Sequence, residues 1–252
     1  MSTFETVDGF LNEYDGEHAY EELKKDLPEK PSVGHLYRLA HACYIRANQR
    51  DDENQRLELL REGSDFAKQA VELDPENGIV MKWAATLVGV LAEHSSWKEK
   101  VALGNEFKKY LDKAIEKLPE EWTLLHMRGR FIYQIANLGI MERAFVSMTF
   151  QSLPAATYEM ALQDLLKMEE LCPGDLDNQL FIGKVYYAMG NNEKAKEWLS
   201  LLCEAEAVDA IDREHIDEAF ELMEKIEPGY KQNFEEETAE QSEDPESIES
   251  TQ

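Results

Sequence analysis

The sequence predicts an all-α fold, a solenoid of antiparallel helix pairs, over most of its 252 residues. Three observations support this prediction: a repeat-like segment at 182–199, three comparable helix ends that each precede a proline, and one spacing of small residues shared by three segments. Nowhere do apolar and polar residues alternate for long enough to indicate a sheet. Because each pair in such a stack contacts only its neighbours, a chain of this length needs no single globular core.

The segment 182–199 has the residue order of a tetratricopeptide repeat, which is a pair of helices about 34 residues long. The small residues Gly183 and Ala195 let the two helices approach closely, while Tyr186, Trp198 and Leu199 fill the space between them. We therefore expect a tetratricopeptide-like, right-handed helical solenoid. Such a scaffold usually binds partners rather than catalysing a reaction.

Proline cannot continue a helix, and three amphipathic stretches end before one: Pro75, Pro119 and Pro173. These prolines are 44 and 54 positions apart. We expect the roughly 10 and 20 residues beyond the standard repeat to lie in turns between paired helices, near 93–99 and 138–153. The next helix should begin three residues after each proline, which places Ala85, Gly129 and Gly183 at the same close-packing position.

The remaining elements follow in chain order. Ser2-Thr3-Phe4-Glu5 has the spacing of a capping box, so the first helix should begin near residue 3. A short helical or irregular insertion is expected at 139–151. The predicted helices span 3–14, 17–27, 34–48, 54–73, 78–93, 97–118, 121–137, 154–171, 176–189, 192–205 and 210–226.

The composition changes abruptly after Gly229. Positions 232–252 contain eight acidic residues and no Lys or Arg. Such a segment has too little apolar surface to offset the entropy lost on ordering. We expect a repeat domain over 1–230 and a disordered acidic tail over 231–252.

The chain is strongly acidic, with 26 Lys and Arg against 52 Asp and Glu and a formal net charge of −26. This charge repels the phosphates of nucleic acids and anionic membrane surfaces, so we expect no nucleic-acid partner. Residues 1–15 lack the features of a signal peptide. No stretch reaches the roughly 20 apolar residues that span a bilayer, so we expect a soluble protein without a transmembrane segment.

Residues that could carry catalysis or metal binding are few and scattered. Cys43, Cys172 and Cys203 lack CxxC spacing and are expected to be reduced packing residues. The six histidines form no HExxH pattern, which argues against a metal site. A nucleophilic Cys43 beside His41 is disfavoured because adjacent helical positions do not face each other. We expect no enzymatic activity, no metal and no cofactor.

The inner wall of the solenoid is the candidate binding surface, because the first helix of each pair lines it. Lys82, Arg130 and Lys184 would form a positive spot there, suited to an acidic peptide or a lipid head group. The alternative is that they pair with neighbouring carboxylates such as Glu159 or Asp177. The repeat register places seven side chains toward this wall: Lys82, Thr86, His126, Arg130, Tyr133, Lys184 and Tyr187.

The predicted insertion carries an apolar stripe formed by Met141, Ala144, Phe145 and Met148. Such a stripe at helical spacing usually packs into a core, here one that closes an end of the groove. The alternative is an adaptable apolar wall for a ligand chain, since Met and Phe accommodate varied shapes.

Several segments carry a resemblance to a known family: 91–100 with Trp97, 104–115 with Tyr110, 129–133 with Gly129, 141–143, and 157–171 with Tyr158. Together they resemble the regulator of microtubule dynamics family, over about residues 1–226 and including both insertions. The resemblance implies a microtubule-associated protein that acts at spindle microtubules and spindle poles in chromosome segregation. It also implies a location in the cytoplasm and on the cytoskeleton.

Some vertebrate members of this family add an N-terminal membrane anchor and act at organelle contact sites, where the repeat domain is reported to hold phospholipid. The sequence has no such anchor, so the resemblance favours a soluble, spindle-type member. A phospholipid-binding or lipid-transfer module and a general peptide-binding scaffold are the alternatives. The tubulin surface is also acidic, and like charges repel over a Debye length of about 8 Å at physiological salt. Microtubule binding should therefore use a local basic patch or a microtubule-associated partner.

Overall fold

The computed structural model describes residues 3–25, 27–149 and 155–243, and it contains no strand within them. The helices are α1 (Thr3–Asn12), α2 (Gly16–Lys25), α3 (Val33–Asn48), α4 (Glu53–Leu73), α5 (Gly78–Glu93), α6 (Trp97–Lys117), α7 (Thr123–Ala136), α8 (Ile140–Thr149), α9 (Tyr158–Leu171), α10 (Leu176–Ala188), α11 (Asn192–Cys203), α12 (Ala210–Ile226) and α13 (Tyr230–Glu243).

Consecutive helices pack as pairs: α1 with α2, α3 with α4, α5 with α6, α7 with α9, α10 with α11, and α12 with α13. The first helix of each pair also packs against its counterpart in a neighbouring pair, as α3 does against α5 and α10 against α12. The predicted all-α solenoid of helix pairs is confirmed. Helix α8 is the insertion, and it lies between the two members of the fourth pair.

Side-chain caps set where many of the helices begin. The carboxylate of Asp52 accepts a hydrogen bond from the backbone of Gln55 at the start of α4, and that of Asp175 accepts one from Asn178 at the start of α10. Asn77 caps α5 in the same way. Each cap satisfies a backbone N–H that the first helical turn leaves without a partner.

The predicted close-packing position is confirmed in the structure. A Cβ atom at Gly129 would lie 2.8 Å from Leu165 Cγ on α9, and one at Gly183 would lie 2.7 Å from Leu199 Cδ2 on α11. Ala85 is fully buried at the equivalent place on α5. The small residues therefore allow the paired helices to approach closely.

The structure differs from the sequence prediction at the first insertion. The predicted helices 78–93 and 97–118 agree with α5 and α6, which leave only residues 94–96 between them, so the expectation that the extra residues lie in this turn is wrong. They lengthen the helices instead, since α6 alone has 21 residues. The capping box of Ser96 and Glu99 starts α6 directly after the turn.

The expectation of a disordered tail is also corrected in part, because Tyr230–Glu243 forms α13. The ring centroids of Phe220 and Phe234 are 5.3 Å apart, and those of Phe220 and Tyr230 are 6.3 Å apart. These aromatic contacts supply apolar surface that acidic composition alone did not reveal. Residues 244–252 lie outside the described residues, and for them disorder remains a prediction.

The two ends of the solenoid touch each other. The Tyr14 hydroxyl donates to Asp209 Oδ2 at 2.8 Å, between the first and last helix pairs. Arg56 on α4 binds Glu214 on α12, and Arg213 binds Asp51. The stack of helix pairs therefore closes on itself, and its inner wall is not an open groove along its whole length.

Cys43 and Cys203 are buried and Cys172 is half-buried, and all three are free. Burial raises the pKa of the Cys43 and Cys203 thiols to about 12. Thiols held protonated in this way are poor nucleophiles. None of the helices that the structure describes combines the length and the apolar character needed to cross a membrane.

Candidate functional site

The inner helices converge on an ion-pair cluster built around Arg130 and Asp177. The guanidinium of Arg130 on α7 binds both Glu93 at the end of α5 and Asp177 in the first turn of α10. It also lies over the ring of Phe181, with Cζ 4.4 Å from the centroid. The cluster thus links three consecutive helix pairs.

Two histidines complete the cluster. His126 places Nε2 2.9 Å from Asp177 Oδ2 and Nδ1 3.1 Å from Asn178 Oδ1. His215 on α12 places Nε2 3.5 Å from Asp177 Oδ1, too far for a good hydrogen bond. Within the described part of the chain, Asp177 Oδ1 and His215 Nδ1 are buried without a hydrogen-bond partner.

The electrostatics of this cluster depend on the Arg130–Asp177 pair. Burial would raise the pKa of Asp177, but the positive charge of Arg130, followed by that of His126, outweighs burial and holds the pKa well below its usual range. Burial likewise lowers the pKa of Arg130, and the charges of Asp177 and Glu93 reverse this. The two groups are therefore both ionised at neutral pH.

A cavity of about 370 Å³ lies beside this cluster, between α5, α6 and α7. Its apolar wall includes Val90, Phe107, Met127, Phe131 and Ile135. Its polar lining includes Lys100, Glu93, Glu142, Arg130 and Asp177. An apolar cavity with a few converging polar groups is the usual form of a ligand site.

The structure brings together four of the seven predicted binding residues. Thr86, His126, Arg130 and Tyr133 all line the cavity. The Thr86 hydroxyl donates within its own helix, to the Lys82 carbonyl at 3.0 Å. Burial, followed by the neighbouring Tyr158, raises the pKa of Tyr133 to about 12, so its hydroxyl stays protonated.

The other three predicted residues lie away from the cavity. Lys82 Nζ is 3.0 Å from Glu121, and Lys184 Nζ is 2.5 Å from Glu218. Tyr187 is exposed at 37%. Lys82, Arg130 and Lys184 therefore each face at least one carboxylate. This agrees with the alternative prediction that these cations pair with neighbouring acidic residues. The wall carries no uncompensated positive spot at these positions, and a role for them in binding stays a prediction.

The apolar stripe of the insertion is only partly described. Met141 is 85% exposed, and Ile140 beside it is 90% exposed, so this end of α8 does not pack into a core. The side chains of Phe145 and Met148 lie outside those that the structure describes. Leu138 and Glu142 line the cavity, which places the start of α8 at its edge.

Sequence reasoning did not identify Glu93 or His215 as site residues, although the structure places both at the cluster. Glu93 ends α5 seven residues after Thr86, so the helical spacing that selected Thr86 could also have selected Glu93. His215 reaches Asp177 only because the last helix pair folds against α10.

Neither a metal centre nor an activated nucleophile stands out in the part of the chain that the structure describes. No group of three or more His, Cys, Asp or Glu is arranged to hold a metal ion there. His41 stacks on Trp83 with centroids 3.8 Å apart, and burial lowers its pKa to about 3. It therefore remains neutral and packs, rather than serving Cys43 as a base.

Comparison with known proteins supports one family. A family model described as Regulator of microtubule dynamics protein 1-3 matches residues 3–227. Regulator of microtubule dynamics protein 1 of Caenorhabditis elegans is 32% identical over 226 residues, which cover 89% of this chain and 100% of the relative. Regulator of microtubule dynamics protein 3 of Xenopus laevis is 33% identical over 180 residues, which cover 71% of this chain but 39% of that relative. The chain thus matches well under half of that longer relative.

Solved structures are similar more distantly. MamA AMB-1 has a TM-score of 0.45 and 14% identity, with 82% of this chain and 92% of that chain covered. A tetratricopeptide repeat protein from Parabacteroides merdae has a TM-score of 0.42 and 16% identity, with 93% and 95% covered. Because both TM-scores are below 0.5, the fold is established by the helix pairs themselves.

Proposed function

Because the chain belongs to the regulator of microtubule dynamics family, we propose that it is a non-catalytic, microtubule-associated adaptor that acts at the spindle and spindle poles in chromosome segregation. The relative that the chain covers in full is named as a regulator of microtubule dynamics. The partners we propose are microtubules or a microtubule-associated protein. A cytoplasmic and cytoskeletal location is part of the same proposal.

The structural observation that carries the adaptor role is the cavity beside the Arg130–Asp177 cluster. It is about 370 Å³ in volume, large enough for one or two side chains of a partner or part of a small ligand. Its apolar wall would bury an aliphatic or aromatic anchor. Lys100 at its polar side, which has no ion-pair partner among the described residues, would bind a carboxylate of an acidic peptide.

A phospholipid is the second candidate occupant of this cavity, since the apolar wall would also bury part of an acyl chain. The carboxylates of Glu93, Glu142 and Asp177 face the same space and oppose an anionic head group. Native mass spectrometry of the purified protein separates the two candidates. Lipid retained at near one molecule per chain would favour the lipid-binding module, whereas a lipid-free protein would favour the peptide adaptor.

Microtubule co-sedimentation across a salt series tests the microtubule role. We expect saturable binding that weakens as salt rises, because contact between two acidic bodies must use local opposite charges. Absence of the protein from the pellet at every salt concentration, alone or with a spindle extract, would refute this role.

A pair of substitutions at Thr86 tests the cavity. Thr86→Phe would fill it, whereas Thr86→Val has nearly the shape of Thr and leaves it open. We expect a fluorescently tagged Thr86→Phe protein to lose spindle enrichment and Thr86→Val to keep it. Equal enrichment of the two variants would show that partners bind elsewhere.

A further inference from the structure

Helix α6 offers a second surface, and it contains more lysines than any other helix that the structure describes. Helix α6 contains six lysines and four acidic residues, whereas the other residues contain 20 Lys and Arg against 48 Asp and Glu. A helix with a net charge of +2 thus belongs to a chain with a net charge of −26. Helices α3 and α7 also have a net charge of +2, but each of their arginines binds a carboxylate of another helix or turn.

The acidic side chains of α6 are engaged within the protein. The Glu99 carboxylate accepts one hydrogen bond from the Ser96 hydroxyl at 2.6 Å and another from the Ser96 backbone N–H at 3.2 Å. The Glu106 carboxylate accepts a hydrogen bond from the Tyr110 hydroxyl at 3.0 Å, and Asp112 forms an ion pair with Lys108. Their negative charges are therefore held close to the helix by local partners.

Three lysines of α6 are not engaged in this way. Within the residues that the structure describes, no carboxylate lies within ion-pair distance of Lys98, Lys100 or Lys109. Lys98 and Lys109 are exposed, and Lys100 is half-buried at the rim of the cavity. By contrast, Lys113 and Lys117 both bind Glu76. The ammonium groups available to a partner therefore lie on the first three and a half turns of the helix.

The spacing of Lys98 and Lys109 puts them on one side of α6. Eleven residues correspond to about three turns and about 16 Å, with only about 20° of rotation between the two positions. Ala102, which lies between them on this side, is exposed and short, and the Asn105 amide bonds back to the Val101 carbonyl at 3.2 Å. The two ammonium groups therefore border a flat, neutral strip.

We propose that this α6 lysine face, formed by Lys98 and Lys109, contacts the acidic surface of the microtubule. The proposal rests on the proposed function and adds the surface that carries it. At physiological salt the Debye length is about 8 Å, so repulsion from distant acidic helices is largely screened at contact. The local charge of the α6 lysine face then decides whether the two proteins attract. The cavity stays available for a second partner, as an adaptor requires.

The test reverses two charges on this face and two charges elsewhere. K98E/K109E changes the α6 lysine face, and K30E/K225E is the matched control with the same change in net charge. Lys30 and Lys225 are exposed and, like the α6 pair, have no ion-pair partner within the described residues. Circular dichroism and the melting temperature verify that both variants fold.

In co-sedimentation at low salt, we expect K98E/K109E to bind microtubules on the order of tenfold more weakly than the parent, since two attractive contacts are lost and the reversed charges add repulsion. We expect K30E/K225E to stay within about twofold of the parent. The difference between the two variants should narrow as salt rises, because screening weakens exposed pairs.

The outcomes separate this proposal from the proposed function. If the parent binds and K98E/K109E binds equally well, the contact lies elsewhere and only the α6 proposal is overturned. If both double variants lose affinity equally, net charge rather than the α6 lysine face controls binding, which also overturns it. If the parent fails to bind under any condition, the microtubule role fails together with this surface.

Discussion

Arg56 on α4 and Glu214 on α12 form a two-point ion pair, with Nη2 2.5 Å from Oε1 and Nη1 3.0 Å from Oε2. These residues are 158 positions apart in the sequence. The Arg56 side chain is only 4% exposed, and it also donates to the Arg50 carbonyl at 3.1 Å. This pair joins the second helix pair to the sixth and thereby helps close the solenoid.

Arg56→Ala should lower the free energy of unfolding by about 1–3 kcal/mol, because the Arg50 carbonyl and the half-exposed Glu214 carboxylate both lose a charged donor whose own side chain is buried. Arg213→Ala is the control, since Arg213 and Asp51 form an exposed pair that should cost less than about 1 kcal/mol. Urea denaturation measures both changes. Small-angle scattering should show a larger radius of gyration for Arg56→Ala only. Equal effects would mean that this closure adds little stability.

Gly183→Ala should destabilise the protein by about 1–3 kcal/mol, because the new Cβ would meet Leu199 at 2.7 Å. Gly104→Ala is the matched control, since Gly104 is also inside a helix but a Cβ atom added there would have nothing within 4 Å. The control should raise stability by about 0.5–1 kcal/mol. Thermal denaturation of both variants measures the contrast. Gly183→Leu should cost more than Gly183→Ala, and an unchanged melting temperature for either would refute the close-packing position.

Asp177 should make the stability depend on pH in the acidic range. Its pKa is held below the ordinary value in the folded state by Arg130, so its contribution is fully present above about pH 4, where the unfolded carboxyl ionises. The contribution is lost as pH falls toward the folded pKa. Melting temperatures from pH 7 to pH 3 should therefore decline less steeply in Asp177→Asn than in the parent. Parallel curves would show that Asp177 has an ordinary pKa.

Two truncations should separate α13 from the residues after it. Removing 244–252 should leave the melting temperature unchanged, since Ile248 is the one apolar residue among these nine and little apolar surface is lost. Removing 231–252 deletes Phe234 from its contact with Phe220 and should lower the melting temperature by several degrees. It also takes the formal charge from −26 to −19, because eight acids and Lys231 are lost. If the acidic end restrains binding electrostatically, the shorter protein should bind microtubules more tightly at low salt.

The structure changes what a charge reversal on the inner wall should do. Judged by the repeat register alone, three charge reversals are equivalent and should all leave the fold intact: Lys82→Glu, Arg130→Glu and Lys184→Glu. In the structure Arg130 lies between Glu93 and Asp177, so a third carboxylate there would place three like charges together. Lys82 and Lys184 each meet a single carboxylate. If a protein that carries all three substitutions loses binding, its circular dichroism spectrum and melting temperature must show that it is still folded before the loss is assigned to the inner wall.

Local signals predicted the helix pairs because they act over a few residues. Proline at 75, 119 and 173 ends a helix wherever the rest of the chain lies, and helix ends at Leu73, Lys117 and Leu171 agree with this. The small residues at 85, 129 and 183 share one register because each repeat packs by the same rule. The placement of the first insertion in a turn was wrong because nothing in the spacing distinguishes a longer helix from a longer turn.

By itself, the sequence determined the all-α class, the order and approximate ends of the helices, and the close-packing positions within each pair, since all of these depend on neighbours within one repeat. Tertiary structure alone decided that Arg130 meets Glu93 and Asp177, that His215 joins them, and that Arg56 reaches Glu214. The contacts of Arg130 depend on how adjacent helix pairs pack, and the Arg56–Glu214 contact depends on the curvature accumulated from the second pair to the sixth. A small rotation between successive pairs, summed along the stack, sets which distant side chains meet, and no local pattern encodes that sum.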